Sequence, residues 1–100
     1  AQMVNFMELD FDTKSRLAQI AEDLIMMYTE EKIANFKMPS KKQIIIETES
    51  IFINFISICS TACGYTEERM MVYLEFMMSI TLELLEETID YIDYELHQKK

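Results

Sequence analysis

The chain has one glycine, one proline and no tryptophan in 100 residues. Average usage is about 7% for glycine and 5% for proline. Many-turned sheet proteins need both, because glycine supplies left-handed turn positions and proline pre-sets φ. Their scarcity argues for a few long helices with few connections. A single glycine, Gly64, also excludes a glycine-rich phosphate loop. The one histidine, His97, is tied by spacing to no serine or cysteine, so no nucleophile–base pair is legible. Positive charge is scarce as well: 9 lysines and arginines face 18 acids, for a formal net charge of −9. Nucleic-acid readers usually carry a basic footprint, and an anionic membrane surface would repel this chain. No secretory signal and no apolar run of about 18 residues is read. The expectation is a cytoplasmic protein that is not an enzyme, with no cofactor, no metal and no membrane association, and with direct nucleic-acid binding disfavoured.

Half of the residues are apolar, enough for the core of one domain spanning residues 1–100. A chain this small buries only roughly 60–65% of its unfolded surface, so oligomerisation would add stability. Methionine, with 9 copies, suits adaptable cores and interfaces.

Hydrophobic periodicity predicts an all-α, antiparallel three-helix bundle with a long C-terminal helix and a short N-terminal arm. The arm covers residues 1–11. Met7, Leu9 and Phe11 alternate there with Glu8, Asp10 and Asp12, a period-2 pattern suited to an extended segment. The helices cover about 13–37, 41–63 and 66–97. Asp12 or Thr13 is expected to cap the first, whose Leu17, Ile20, Ala21, Leu24, Met27 and Tyr28 recur at helical spacing. Met38-Pro39 ends it. Ser40-Lys41-Lys42-Gln43 has the form of a capping box for the second helix. That helix is apolar around almost its whole circumference, from Ile44 to Cys63, and is expected to be buried all round. Gly64 stops it and Thr66 caps the third.

The third helix carries two apolar stripes. Met71, Leu74, Met78, Leu82, Leu85, Ile89, Ile92 and Leu96 form one, expected to face the bundle. Met70, Tyr73, Met77, Ile80, Leu84, Tyr91 and Tyr94 form the other. Met70, Tyr73, Met77, Tyr91, Ile92 and Tyr94 are the expected dimer or partner interface. At 1.5 Å per residue the third helix outruns the second, so its C-terminal end should overhang beside the first connection. Apolar groups without cover mark an interface.

Cys59 and Cys63 stand four apart, on one helix face but poorly placed for a mutual disulfide. They are expected to be reduced and buried. Residues 66–98 hold nine acids and Arg69 alone as a base. Within them Glu83, Glu86, Asp90 and Asp93 form a ridge by steps of three and four, which His97 continues. Like charges so spaced destabilise a helix by a few tenths of a kcal/mol per pair, or about 0.2–0.5. A solvated face balanced by Lys37, Lys41 and Lys42 is one reading of the ridge; a basic protein partner and imitation of a nucleic-acid phosphate backbone are the others. Asp93 and His97 could share a metal with Asp90 or Glu86, but no Glu-x-x-His pair accompanies them. The corner Cys63-Gly64-Tyr65-Thr66 has helix-turn-helix spacing, yet Thr66-Glu67-Glu68-Arg69 after it would repel phosphates.

The expected function is that of a small acidic regulator, inhibitor or adaptor, bacterial or phage-encoded, binding a larger basic protein and pairing as a homodimer. A toxin-immunity or chaperone-like binding protein is the alternative among binding proteins. A transcription regulator using the Gly64 corner is the alternative from another class.

Overall fold

A computed structural model describes residues 9–98. Three helices follow one another: α1 (Phe11–Ala34), α2 (Lys41–Cys63) and α3 (Glu67–Gln98). α1 begins two residues before the sequence expectation, because Asp10 rather than Asp12 or Thr13 is its cap. The Asp10 carboxylate accepts from the Thr13 amide at 2.7 Å, which holds it below the usual carboxylate range. Phe11 and Asp12 therefore lie in the first helical turn, not in the arm. Leu9 is buried against the bundle, while Met7 and Glu8 lie outside the described residues.

The other end of α1 has a Schellman closure. Lys37 N–H donates to the Lys32 carbonyl at 2.9 Å and Phe36 N–H to that of Ile33 at 3.1 Å. Phe36 takes the left-handed position, with φ 54, where glycine is usual. α2 opens on Ser40, whose hydroxyl accepts from the Gln43 amide at 3.1 Å. Only this half of the expected capping box forms. The Gln43 side chain serves Glu47 instead, where it helps hold the carboxylate ionised. α2 closes on Gly64 at φ 69, and Thr66 caps α3 by accepting from the Arg69 amide at 3.1 Å.

Cross-helix bonds define the topology. Tyr28 and Lys32, late in α1, meet Glu47, early in α2. Lys41 at the start of α2 pairs with Glu86 in the second half of α3. Asp10 and Arg69 sense each other at the two N-terminal ends, and Tyr91 meets Glu30 near the other ends. α1 and α3 therefore run parallel, with α2 antiparallel to both. The longest extent, 47 Å, is the length of α3 itself.

α3 packs extensively against both neighbours, while α1 and α2 touch each other little. This explains a correction. α2 is not buried all round: a single row, Ile44, Thr48, Phe52 and Ile56, is covered, and Ile46, Ile53 and Ile58 are exposed. With essentially one neighbour, α2 cannot hide a full circumference. Among the described residues α2 is also the one helix long and apolar enough to cross a membrane, contrary to the sequence expectation, and only 22% of that apolar window is buried. Its covered row is tied into the bundle, where Thr81 and Thr48 share a buried hydroxyl–hydroxyl bond of 3.2 Å.

The stripes of α3 divide differently from expectation. Val72, Tyr73, Met77, Thr81, Thr88 and Ile92 face the bundle, while Met71 and Leu82 are exposed. Tyr73, Met77 and Ile92, expected at an interface, are core residues. Their row points between α1 and α2, the only direction that covers a helix from both sides. Nor does the C-terminal end of α3 overhang as expected. α1 runs beside it to Ala34, so Ile92 is fully buried and Leu96 half-buried.

Candidate interaction surfaces

The surface divides by chemistry. On α2, no Asp, Glu, Lys, Arg or His occurs between Ser50 and Thr66. Ile46, Ile53 and Ile58 stand exposed on this helix, and Met71 and Leu82 on α3. Where the C-terminal half of α2 meets the start of α3, a groove of about 320 Å³ is lined by Ile53, Ile56, Met70, Met71 and Leu74, with Ser57 and Glu67. Met70, an expected interface residue, is half-buried there. A second groove, about 360 Å³, runs between α1 and α3. Ile25, Met26 and Leu84 supply its apolar surface, Thr29 and Thr88 its hydroxyls, and Glu22 and Glu87 its charge, with Tyr91 at one end.

Of the two remaining expected interface residues, Tyr94 is 61% exposed. Tyr91 is partly covered, and its hydroxyl donates to Glu30 Oε1 at 3.3 Å. The Glu30 charge, with desolvation and Glu95, raises the Tyr91 phenol above its ordinary value.

Glu83, Glu86, Asp90 and Asp93 are all exposed along the back of α3. Two have partners from their own chain. Glu86 pairs with Lys41. Asp93 lies 3.5 Å from His97, whose Nδ1 is also 2.7 Å from the Asp93 carbonyl. Glu83 and Asp90 have no ion-pair partner among the described residues. Among those residues, no group of three or more His, Cys, Asp or Glu is placed to hold a metal ion.

At the Gly64 corner, the one base near the start of α3 is turned inward. Arg69 donates to the Tyr73 hydroxyl at 3.0 Å and lies over that ring, 5.7 Å from its centre. Tyr65 meets the Tyr73 ring edge-on at 5.3 Å. A phosphate-reading corner would need that guanidinium free. The nearby cysteines are unbridged, but they are not buried as expected: Cys59 is half-buried and Cys63 exposed. The lack of a neighbour for the outer side of α2 exposes them too.

Two features escaped the sequence reading. One is the Tyr28–Lys32–Glu47 linkage, in which Lys32 is almost wholly buried, 3.2 Å from Glu47 and 5.2 Å from the Tyr28 ring centre. A carboxylate, Glu47, placed directly after Ile44, Ile45 and Ile46 in α2 was its available signal. The other is the α1–α3 groove, which no spacing in one helix reveals. No family model, curated protein or solved structure matches this chain.

Proposed function

We propose that this chain is a non-enzymatic helical interaction protein. It acts as a small acidic regulator, inhibitor or adaptor for a larger protein with a basic surface, and it pairs with a second copy of itself. The observation that carries the reading is the separation of an uncharged apolar face from an acidic one. Two chains of net charge −9 repel each other over most of their surface. The outer side of the C-terminal half of α2 and its groove with α3, where Glu67 is the carboxylate among the lining residues, form the region where copies can meet with the fewest opposing charges. Burying Ile53 and Met71 there removes apolar area from water, worth about 25 cal/mol per Å² before association costs. The carboxylates of α1 and α3 then remain outward, available to a basic partner. Glu83 and Asp90, without an ion-pair partner among the described residues, are the ridge members best suited to that partner.

Sedimentation velocity of the intact chain tests the reading. The expected result is a dimer at micromolar concentration that Ile53→Glu and Met71→Glu convert to monomers without loss of helix content. A wild-type monomer at millimolar concentration overturns self-pairing. For the basic partner, a hexa-arginine peptide is the probe, with binding expected at low salt and weakened as salt rises. No binding at low salt overturns that half.

A further inference from the structure

We infer that two copies of this chain pair in antiparallel register, α2 on α2 and α3 on α3, each seating Ile46 in the other's α2–α3 groove and setting Lys42 against Glu67 of the partner subunit. The inference rests on the proposed self-pairing. It fixes the direction and register of that pairing and extends the contact to Ile46 and Leu82.

The relative levels of α2 and α3 come from two bonds. Thr81 donates to Thr48, and Lys41 pairs with Glu86. Counting back along α3 from these pairs, at about 1.5 Å per residue, puts Glu67 level with Thr61 and Met77 level with Phe52.

Three features are balanced about the level of Phe52 and Met77. On α3, Met71 and Leu82 are exposed and share a face three turns apart. They stand about 9 Å before and about 8 Å after that level. A two-fold axis there brings Met71 of one copy to Leu82 of the other. On α2, Lys42, Ile46, Ser50, Ile53 and Ser57 recur by steps of three and four, all of them exposed, and so form one ridge. Ile46 lies about 9 Å before the axis, and Ser57, in the wall of the groove, about 8 Å after it. The same operation therefore carries Ile46 to the groove of the second copy. Lys42 lies about 15 Å before the axis and Glu67 about 14 Å after it. Neither has an ion-pair partner among the described residues. One axis thus satisfies an apolar pair, a projecting side chain with its recess, and an opposite-charge pair.

A parallel symmetric pair satisfies none of them. It sets each residue against its own copy, so Lys42 meets Lys42 and Glu67 meets Glu67. Ile46 then stays about 10 Å or more from the groove. Juxtaposed like charges oppose such a register, whereas the antiparallel one reverses their sign. The charges nearest the two-fold axis are Glu49 and Glu75, both exposed, and they oppose pairing in either direction.

The test is cross-linking of the full chain carrying Cys59→Ala and Cys63→Ala, so that every thiol is an introduced one. The oxidant is diamide, which takes up the two thiol hydrogens as a disulfide forms. Met71→Cys mixed with Leu82→Cys should give covalent dimers containing one of each. Either variant alone should give few, because copies of one position stand about 16 Å apart, too far for a disulfide. Sedimentation equilibrium reads the charges. Lys42→Glu and Glu67→Lys should each weaken the dimer about fivefold, since two exposed pairs are lost at once. Combining them in one chain should restore it, and Glu75→Gln should tighten it. Cross-linking of each cysteine variant alone, or none from the mixture in a chain that sediments as a dimer, overturns the antiparallel register while self-pairing stands. Charge reversals without effect on the dimer overturn the Lys42–Glu67 contact. A wild-type monomer at millimolar concentration overturns register and self-pairing together.

Discussion

Tyr28 donates its phenolic hydrogen to Glu47 Oε1 across 2.6 Å, linking α1 to α2 where the two helices otherwise touch little. The bond moves both groups in opposite senses. Glu47 is held below its ordinary value first by the Tyr28 hydrogen bond, then by Lys32 and Gln43 against desolvation. Tyr28 is pushed well above its ordinary value by burial and by the same carboxylate.

The first prediction follows from these signs. Glu47, with its folded pKa lowered, contributes stability above its unfolded value of about 4.5, and that contribution is lost as pH falls through the folded value. Tyr28, with its folded pKa raised, contributes stability below its unfolded value of about 10.0, lost as pH rises above it. Thermal unfolding against pH should therefore show both an acid and an alkaline limb. Tyr28→Phe should cost about 1.5 kcal/mol at neutral pH, the low end for a bond to a charged group, and should flatten both limbs. Glu47→Gln should flatten the acid limb more than any exposed-glutamate substitution does, and should weaken the alkaline limb in part, because the carboxylate that helps raise Tyr28 is gone while its burial remains. Unchanged limbs in Tyr28→Phe would contradict the linkage.

A second prediction separates the two stripes of α3. Ile92 is fully buried and Tyr94 is exposed. Ile92→Glu should cost about 3–5 kcal/mol, because it buries an unpaired carboxylate. Tyr94→Glu should stay within about 0.5 kcal/mol. Urea titration of both variants would show the difference as a large shift in midpoint for the first only.

Backbone geometry at the two connections supports a third prediction. Phe36 is 66% exposed and adopts φ 54. A left-handed conformation costs a side-chain-bearing residue about 1–2 kcal/mol, partly offset by the unfolded-state entropy that glycine would add. Phe36→Gly should therefore stabilise by about 0.5–1 kcal/mol. Gly64→Ala should destabilise by about 1 kcal/mol through its φ of 69 alone, because nothing lies within 4 Å of the added Cβ. Differential scanning calorimetry should show the transition temperature rising in the first variant and falling in the second.

The cysteines give a fourth. Cys63 is exposed and Cys59 half-buried. Under native conditions a thiol reagent should modify Cys63 first and Cys59 more slowly. Cys63→Ala should change stability by less than about 0.5 kcal/mol, and Cys59→Ala by about 1 kcal/mol through lost packing. Equal labelling rates would show that the two sites open together.

Local interactions made the helices legible. Ser40, Gly64 and Thr66 act at the positions where their own backbone and side-chain chemistry puts them, because a cap depends on residues within one turn. The start of α1 was misread by two residues because Asp10, Asp12 and Thr13 are all competent caps, and only the fold selects the one used. The acidic ridge was equally legible, since residues three and four apart share a helix face whatever surrounds them.

What the chain could not disclose was which face each helix covers. α2 and α3 are apolar on more sides than three helices can hide, so periodicity alone does not name the buried side. Tertiary packing decided it: α3 lies against both neighbours, α1 and α2 stay apart, and the row through Tyr73, Met77 and Ile92 became core while Met71 and Leu82 were left outside. The groove holding Glu22, Glu87 and Thr88 arose by the same route, from two helices far apart in sequence. Sequence by itself determined three helices, the caps of the second and third, and a strongly acidic third one. The pairing of faces was decided only in three dimensions, because burial depends on neighbours and a periodic stripe does not carry their positions.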